Sequence, residues 1–115
     1  MEKYEVIKFK DDEFEMDVNV SPNEETVWLT QNEISQLFDT TKQNVSLHIN
    51  NIFKENELLR KATVKEILTV QNEGGRFISR KLNYYNLDMV LAIGYRVNSK
   101  RGVLFRKLAN QVLKR

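Results

Sequence analysis

A chain of 115 residues, 41% hydrophobic and 30% charged with one proline and four glycines, is sized for one core and excludes disorder or a collagen-like repeat. The absence of cysteine and the single histidine exclude disulfides, thiolate catalysis, zinc–thiolate sites and a histidine-rich metal centre within one chain. The net charge of +2 hides an asymmetry: residues 1–39 hold three lysines against eleven acids, residues 40–115 hold fifteen bases against five acids, and Arg96 to the end holds seven bases and no acid. Such a basic concentration attracts a polyanion through counterion release, although a solvated helix face has the same composition.

No run approaches the roughly 18 apolar residues of a membrane span, and Met1-Glu2-Lys3-Tyr4 lacks the apolar core of a signal peptide, so a cytoplasmic protein is expected. Along the chain, Tyr4 to Val20 alternates around the polar turn Asp11-Asp12, which predicts a β-hairpin. Ser21-Pro22-Asn23 ends it, and a short β-type run, Thr26 to Leu29, leads into the next region.

From Gln31 to Phe53 the apolar period lengthens to near 3.6, with Ile34, Leu37 and Phe38, then Val45, Ile49, Ile52 and Phe53. Two helices are implied. Thr30 is placed to cap the first, with Glu33 completing a capping box, and Thr41 to cap the second. Asp39-Thr40-Thr41 leaves room only for a sharp turn, with Asp39 where glycine is usual. Residues Asn56 to Lys61 read as a loop or frayed helix end. Alternation returns in Ala62–Val70 and Arg76–Leu82 around Gln71-Asn72-Glu73-Gly74-Gly75, a second hairpin. Asn86 can cap a helix through Ile93, and Ser99 a last helix to Leu113. The chain has no helix terminator at its end, which suggests a fragment of a longer protein.

The segment from about Thr30 to Phe53 supplies the parts of a helix-turn-helix: two short helices, a tight turn, small Ser35 for close approach and a shared apolar contact. With Val45 and Ile49 inward, Lys42, Gln43, Asn44, Ser46, Leu47 and Asn50 project outward beside the Thr41 cap. Amide side chains can bond adenine bidentately, Leu47 can touch a thymine methyl, and Lys42 can neutralise phosphate. A helical hairpin with a merely wet outer face has the same spacing.

The second hairpin is read either as a wing or as a plain exposed hairpin. As a wing it would carry Arg76 into a minor groove and Lys65, Arg80 and Lys81 along phosphates. Lys100 and Arg101 begin the basic terminal helix and join the candidate DNA contacts. His48, at the edge of the apolar face, is assigned to packing with a backbone hydrogen bond rather than to catalysis; Trp28 and Phe53 are assigned to the core. No phosphate-cradling loop, metal-ligand cluster or nucleophile with a histidine base is visible, so no catalytic residue, metal or cofactor is assigned and no enzyme activity is expected.

Three blocks, 26–31 (Thr-Val-Trp-Leu-Thr-Gln), 48–55 (His-Ile-Asn-Asn-Ile-Phe-Lys-Glu) and the long stretch from Tyr84 to Arg106, resemble the RhuM family of bacterial virulence-associated proteins. The resemblance spans about residues 4–115. It implies the N-terminal domain of a longer DNA-binding protein of mobile or horizontally acquired regions, with no established enzymatic activity. Residues 105–113 are also similar to the end of phage antirepressor Bro-N domains. Some relatives join such a domain to a Fic-type nucleotidyl-transfer domain, whose histidine-containing loop is absent here.

The expected architecture is a single α+β domain over 1–115: an N-terminal β-hairpin, a helix-turn-helix, a winged-helix-like second hairpin and two C-terminal helices. The expected function is sequence-selective double-stranded DNA binding, as a homodimer because one recognition helix covers little DNA. A protein-interaction module of antirepressor type, or an accessory domain for an enzyme beyond residue 115, remains the alternative.

Overall fold

Alternating side chains divide the first hairpin into a wet and a dry face. The computed structural model describes residues 5–113, so the expected start at Tyr4 and residues 114–115 lie outside the described residues. Strand β1 (Glu5–Asp11) pairs antiparallel with β2 (Phe14–Ser21) through a turn at Asp12-Glu13. Phe9, Met16, Val18 and Val20 are buried on one side, while Lys8 and Lys10 face Glu15 and Asp17 across the other. Strand β3 (Thr26–Thr30) extends this sheet along β2.

Helices α1 (Gln31–Leu37) and α2 (Lys42–Lys54) follow as the period predicts. Thr30 accepts from the Glu33 N–H at 3.2 Å while the Glu33 carboxylate accepts from the Thr30 N–H at 2.8 Å, the expected capping box. Thr41 caps α2 by accepting from the Asn44 N–H at 3.0 Å. The segment 56–61, expected to be irregular, includes the start of a one-turn helix α3 (Arg60–Thr63), and this takes Ala62 out of the strand predicted to begin there. Strands β4 (Val64–Glu73) and β5 (Arg76–Tyr85) are longer than predicted and close on a two-residue turn at Gly74 and Gly75, both with positive φ. Helices α4 (Leu87–Arg96) and α5 (Lys100–Leu113) complete the order, with Asn86 capping α4.

The two hairpins do not stand apart. β3 pairs with β5 through Leu29 to Tyr85 and Thr30 to Tyr84, which joins the strands into one antiparallel sheet of order β1-β2-β3-β5-β4. Because this pairing reaches only the base of β5, most of the β4–β5 hairpin extends beyond the strands that flank it. The fold is α+β, with one core in which Leu29, Ile34, Leu37, Val45, Ile52 and Phe105 are fully buried.

Three helices end in the same way. Asp39, Asn56 and Asn98 have φ of 51°, 57° and 52°, and each stands one residue past a helix C-cap. At the first, the Asp39 and Thr40 N–H groups donate to the Gln36 and Ser35 carbonyls; the pairs after α2 and α4 repeat this pattern. These are Schellman motifs, in which the left-handed residue turns the chain so that the last carbonyls find donors. Asp and Asn supply that conformation at less cost than other non-glycine residues.

α5 is anchored on the first hairpin. Phe105 meets Phe9 edge-on at 5.6 Å between centroids, and the Arg101 guanidinium lies 3.9 Å from the centre of the Phe14 ring. Trp28 is buried, as expected, but on the sheet face opposite Val27 and Leu29. Its Nε1 donates to Glu24 at 2.6 Å, and the Lys65 ammonium covers its ring at 4.7 Å.

Candidate nucleic-acid interface

The polar face of α2 is open because its apolar face is fully engaged. Val45 and Ile52 are 0% exposed and Ile49 is 3% exposed, so the helix cannot rotate without opening the core. Lys42, Gln43, Leu47 and Asn50 are exposed on the other side, with Leu47 at 56%. Thr41 is exposed at the N-terminus as its cap, and Ser46 is half-buried. Asn44 is half-buried too, with its Nδ2 donating to Thr40 Oγ1 at 2.9 Å, so one of its amide hydrogens already braces the α1–α2 turn.

α1 is held to the start of α2 from outside as well as through the core: Gln31 Nε2 donates to the Lys42 carbonyl at 2.8 Å. Ser35 is buried, and its hydroxyl donates to the Asn32 carbonyl of its own helix at 2.6 Å. The seven-residue α1, the Asp39 turn and α2 therefore form one rigid unit.

The β4–β5 hairpin divides its basic residues. By alternation Arg76 and Arg80 share one face, while Lys81 lies on the other with Leu68, Val70 and Phe77. Arg80 donates to both Glu73 carboxylate oxygens at 3.1 Å, and Lys81 approaches Glu66 at 3.8 Å. These are surface pairs of small worth, and all four side chains remain reachable from solvent. Lys65 is placed differently, between Glu24 and the Trp28 ring at the base of the sheet, so it covers a tryptophan rather than lying along the hairpin with Arg80.

A groove of about 390 Å³ opens where the base of β5 meets the starts of α1 and α2. Its lining includes Gln31, Asn32, Lys42, Lys81 and Asn83, two lysines and three amide-bearing residues. Sequence reasoning singled out both lysines but not Gln31, Asn32 or Asn83. Their approach depends on the β3–β5 pairing, for which the sequence holds no local signal.

The basic C-terminal segment is less free than its composition suggests. Arg96 donates to Glu55 at 3.0 Å and Glu57 at 2.8 Å; the Glu57 hydrogen bond, assisted by Glu55, holds its pKa above the ordinary guanidinium value. Arg101 lies between elements: Nη1 donates to the Leu37 carbonyl at 3.1 Å and to that of Gln36 at 3.4 Å, and Nε is 3.5 Å from Asp11. It thus caps the C-terminus of α1 and links it to the first hairpin, away from the exposed set in which it was expected. Lys100, Arg106 and Lys107 are exposed.

His48 is half-buried and its Nδ1 is buried without a hydrogen-bond partner; the expected bond to the backbone is not formed. Phe53 is half-buried against the core with the Arg60 guanidinium 5.5 Å from its ring centre. Among the described residues, no group of three His, Cys, Asp or Glu side chains could hold a metal ion, and no helix is long and apolar enough to cross a membrane.

Residues 62–115 match the model of the family described as Virulence protein RhuM family. The match covers β4, β5, α4 and α5, including the Tyr84–Arg106 block that carried most of the resemblance. No curated protein and no solved structure matches the chain.

Proposed function

We propose that this chain, whose residues 62–115 match the RhuM family model, binds double-stranded DNA, with α1, the Asp39 turn and α2 acting as a helix-turn-helix. The observation that carries the reading is the division of α2 into a completely buried apolar face and an outer face of Lys42, Gln43, Leu47 and Asn50 that the protein's own body does not cover. Amides at the start and middle of such a helix suit adenine edges in the major groove, and Leu47 suits a thymine methyl. Asn44 contributes through its remaining donor and its carbonyl oxygen.

In this reading Lys42 and Lys81, with the amides of the adjoining groove, hold the phosphates beside the major groove. The β4–β5 hairpin takes the part of a wing, its tip carrying Arg76 toward the neighbouring minor groove. Lys100 adds non-selective phosphate attraction.

The test is the salt dependence of binding to random duplex. Affinity should fall steeply as salt rises, by a slope near −0.9 for each phosphate neutralised. No measurable affinity at low salt would overturn the proposal. It would instead favour a protein-interaction module, a second reading supported by exposed Tyr95, Leu68, Val70 and Phe77.

A further inference from the structure

The sheet has two edges of different character. β1 carries Glu5, Lys8, Lys10 and Asp11, the charges that ordinarily keep an edge strand from pairing with another chain. β4, at the other edge, is ten residues long and has no charge from Ile67 to Asn72. Leu68 and Val70 on it are each 62% exposed, and Phe77 on the same face of the hairpin is 79% exposed.

From this edge we infer that the β4 strands of two copies pair antiparallel about a two-fold axis, making a continuous sheet across a homodimer. The strand's own sequence selects the register. In a two-fold antiparallel pair directly opposed residues lie on the same face, so the axis must pass at a residue. With the axis at Thr69, Leu68 of each copy faces the second copy's Val70, Lys65 faces Glu73, and Glu66 faces Asn72. No like charges meet. Moving the axis to Leu68 sets Glu66 against Val70, and moving it to Val70 sets Ile67 against Glu73. Only the central register joins the apolar side chains into one stripe, with Phe77 beside it.

The partner is therefore a second copy of this chain, held by main-chain hydrogen bonds along the edge and by the Leu68–Val70 stripe. The inference does not rest on DNA binding: a monomer that binds duplex would sink it alone, and a dimer indifferent to DNA would leave it standing.

Sedimentation velocity, with cysteine cross-linking, tests it. The unmodified chain is expected to be a dimer, and the double variant L68K/V70K, altered only at exposed positions, a monomer with unchanged circular dichroism and a melting temperature that no longer depends on protein concentration. Because the chain has no native cysteine, Thr69→Cys should oxidise to a disulfide-linked dimer, whereas Ser79→Cys, one strand away, should not. A monomeric unmodified chain, a dimer that survives L68K/V70K, or equal cross-linking at both positions would overturn it.

Discussion

A β-carbon built on Gly94 would stand 2.8 Å from Cζ of Phe38, closer than such carbons ever approach another atom. Phe38 is the C-cap of α1, and Gly94 lies in the last turn of α4, so the missing side chain lets α4 close on the end of α1. Alanine normally favours a helix by about 1 kcal/mol over glycine, yet here Gly94→Ala should destabilise the fold by about 1–3 kcal/mol through overpacking. Chemical denaturation measures this. The double variant F38L/G94A should recover part of the loss, because the shorter side chain clears the clash.

Asp39 holds a left-handed conformation that costs a residue with a β-carbon and that glycine adopts freely. Asp39→Gly should therefore raise stability by about 0.5–1 kcal/mol, while Asp39→Val should lower it by more than that. The paired melting curves decide whether this turn is strained.

Lys100 and Arg101 are neighbours with different tasks. Arg101→Ala removes the α1 cap and the Phe14 contact, so it should cost about 1–3 kcal/mol of stability. Lys100→Ala should leave the melting temperature unchanged and weaken binding to all duplexes alike, reducing the salt slope by about one. Thermal unfolding and anisotropy titrations on both variants separate the two roles.

On α2 the distinction falls between Asn44 and its neighbours. Gln43→Ala and Asn50→Ala should each cost about 1–3 kcal/mol at a cognate site with little change in stability. Asn44→Ala should lower both, since the Thr40 bond is lost with any base contact. Affinity for a selected site, set beside denaturation midpoints, distinguishes these outcomes.

What could be read from the sequence was local. Thr30 with Glu33, Thr41 and Asn86 marked helix starts because a cap is a contact over three residues, and Val45 with Ile49 marked the buried face because the period repeats within one helix. The link between β3 and β5 was not readable: two residue pairs join segments separated by the whole helical pair, and nothing near Leu29 announces Tyr85. Arg101 was misplaced for the same reason, its carboxylate and aromatic partners, Asp11 and Phe14, lying at the other end of the chain. Charge counting treated Arg96 as free, although Glu55 and Glu57 are drawn to it by the turn at Asn56.

The most direct measurement is selection of bound sites from a pool of random duplex DNA by the purified chain, run in parallel with a Q43A/N50A variant. The account predicts that one short motif is enriched by the unmodified chain and that the variant loses this preference while keeping salt-sensitive binding. Recovery of the same motif by both proteins, or of none by either, would contradict the assignment of the outer face of α2 as the surface that reads DNA.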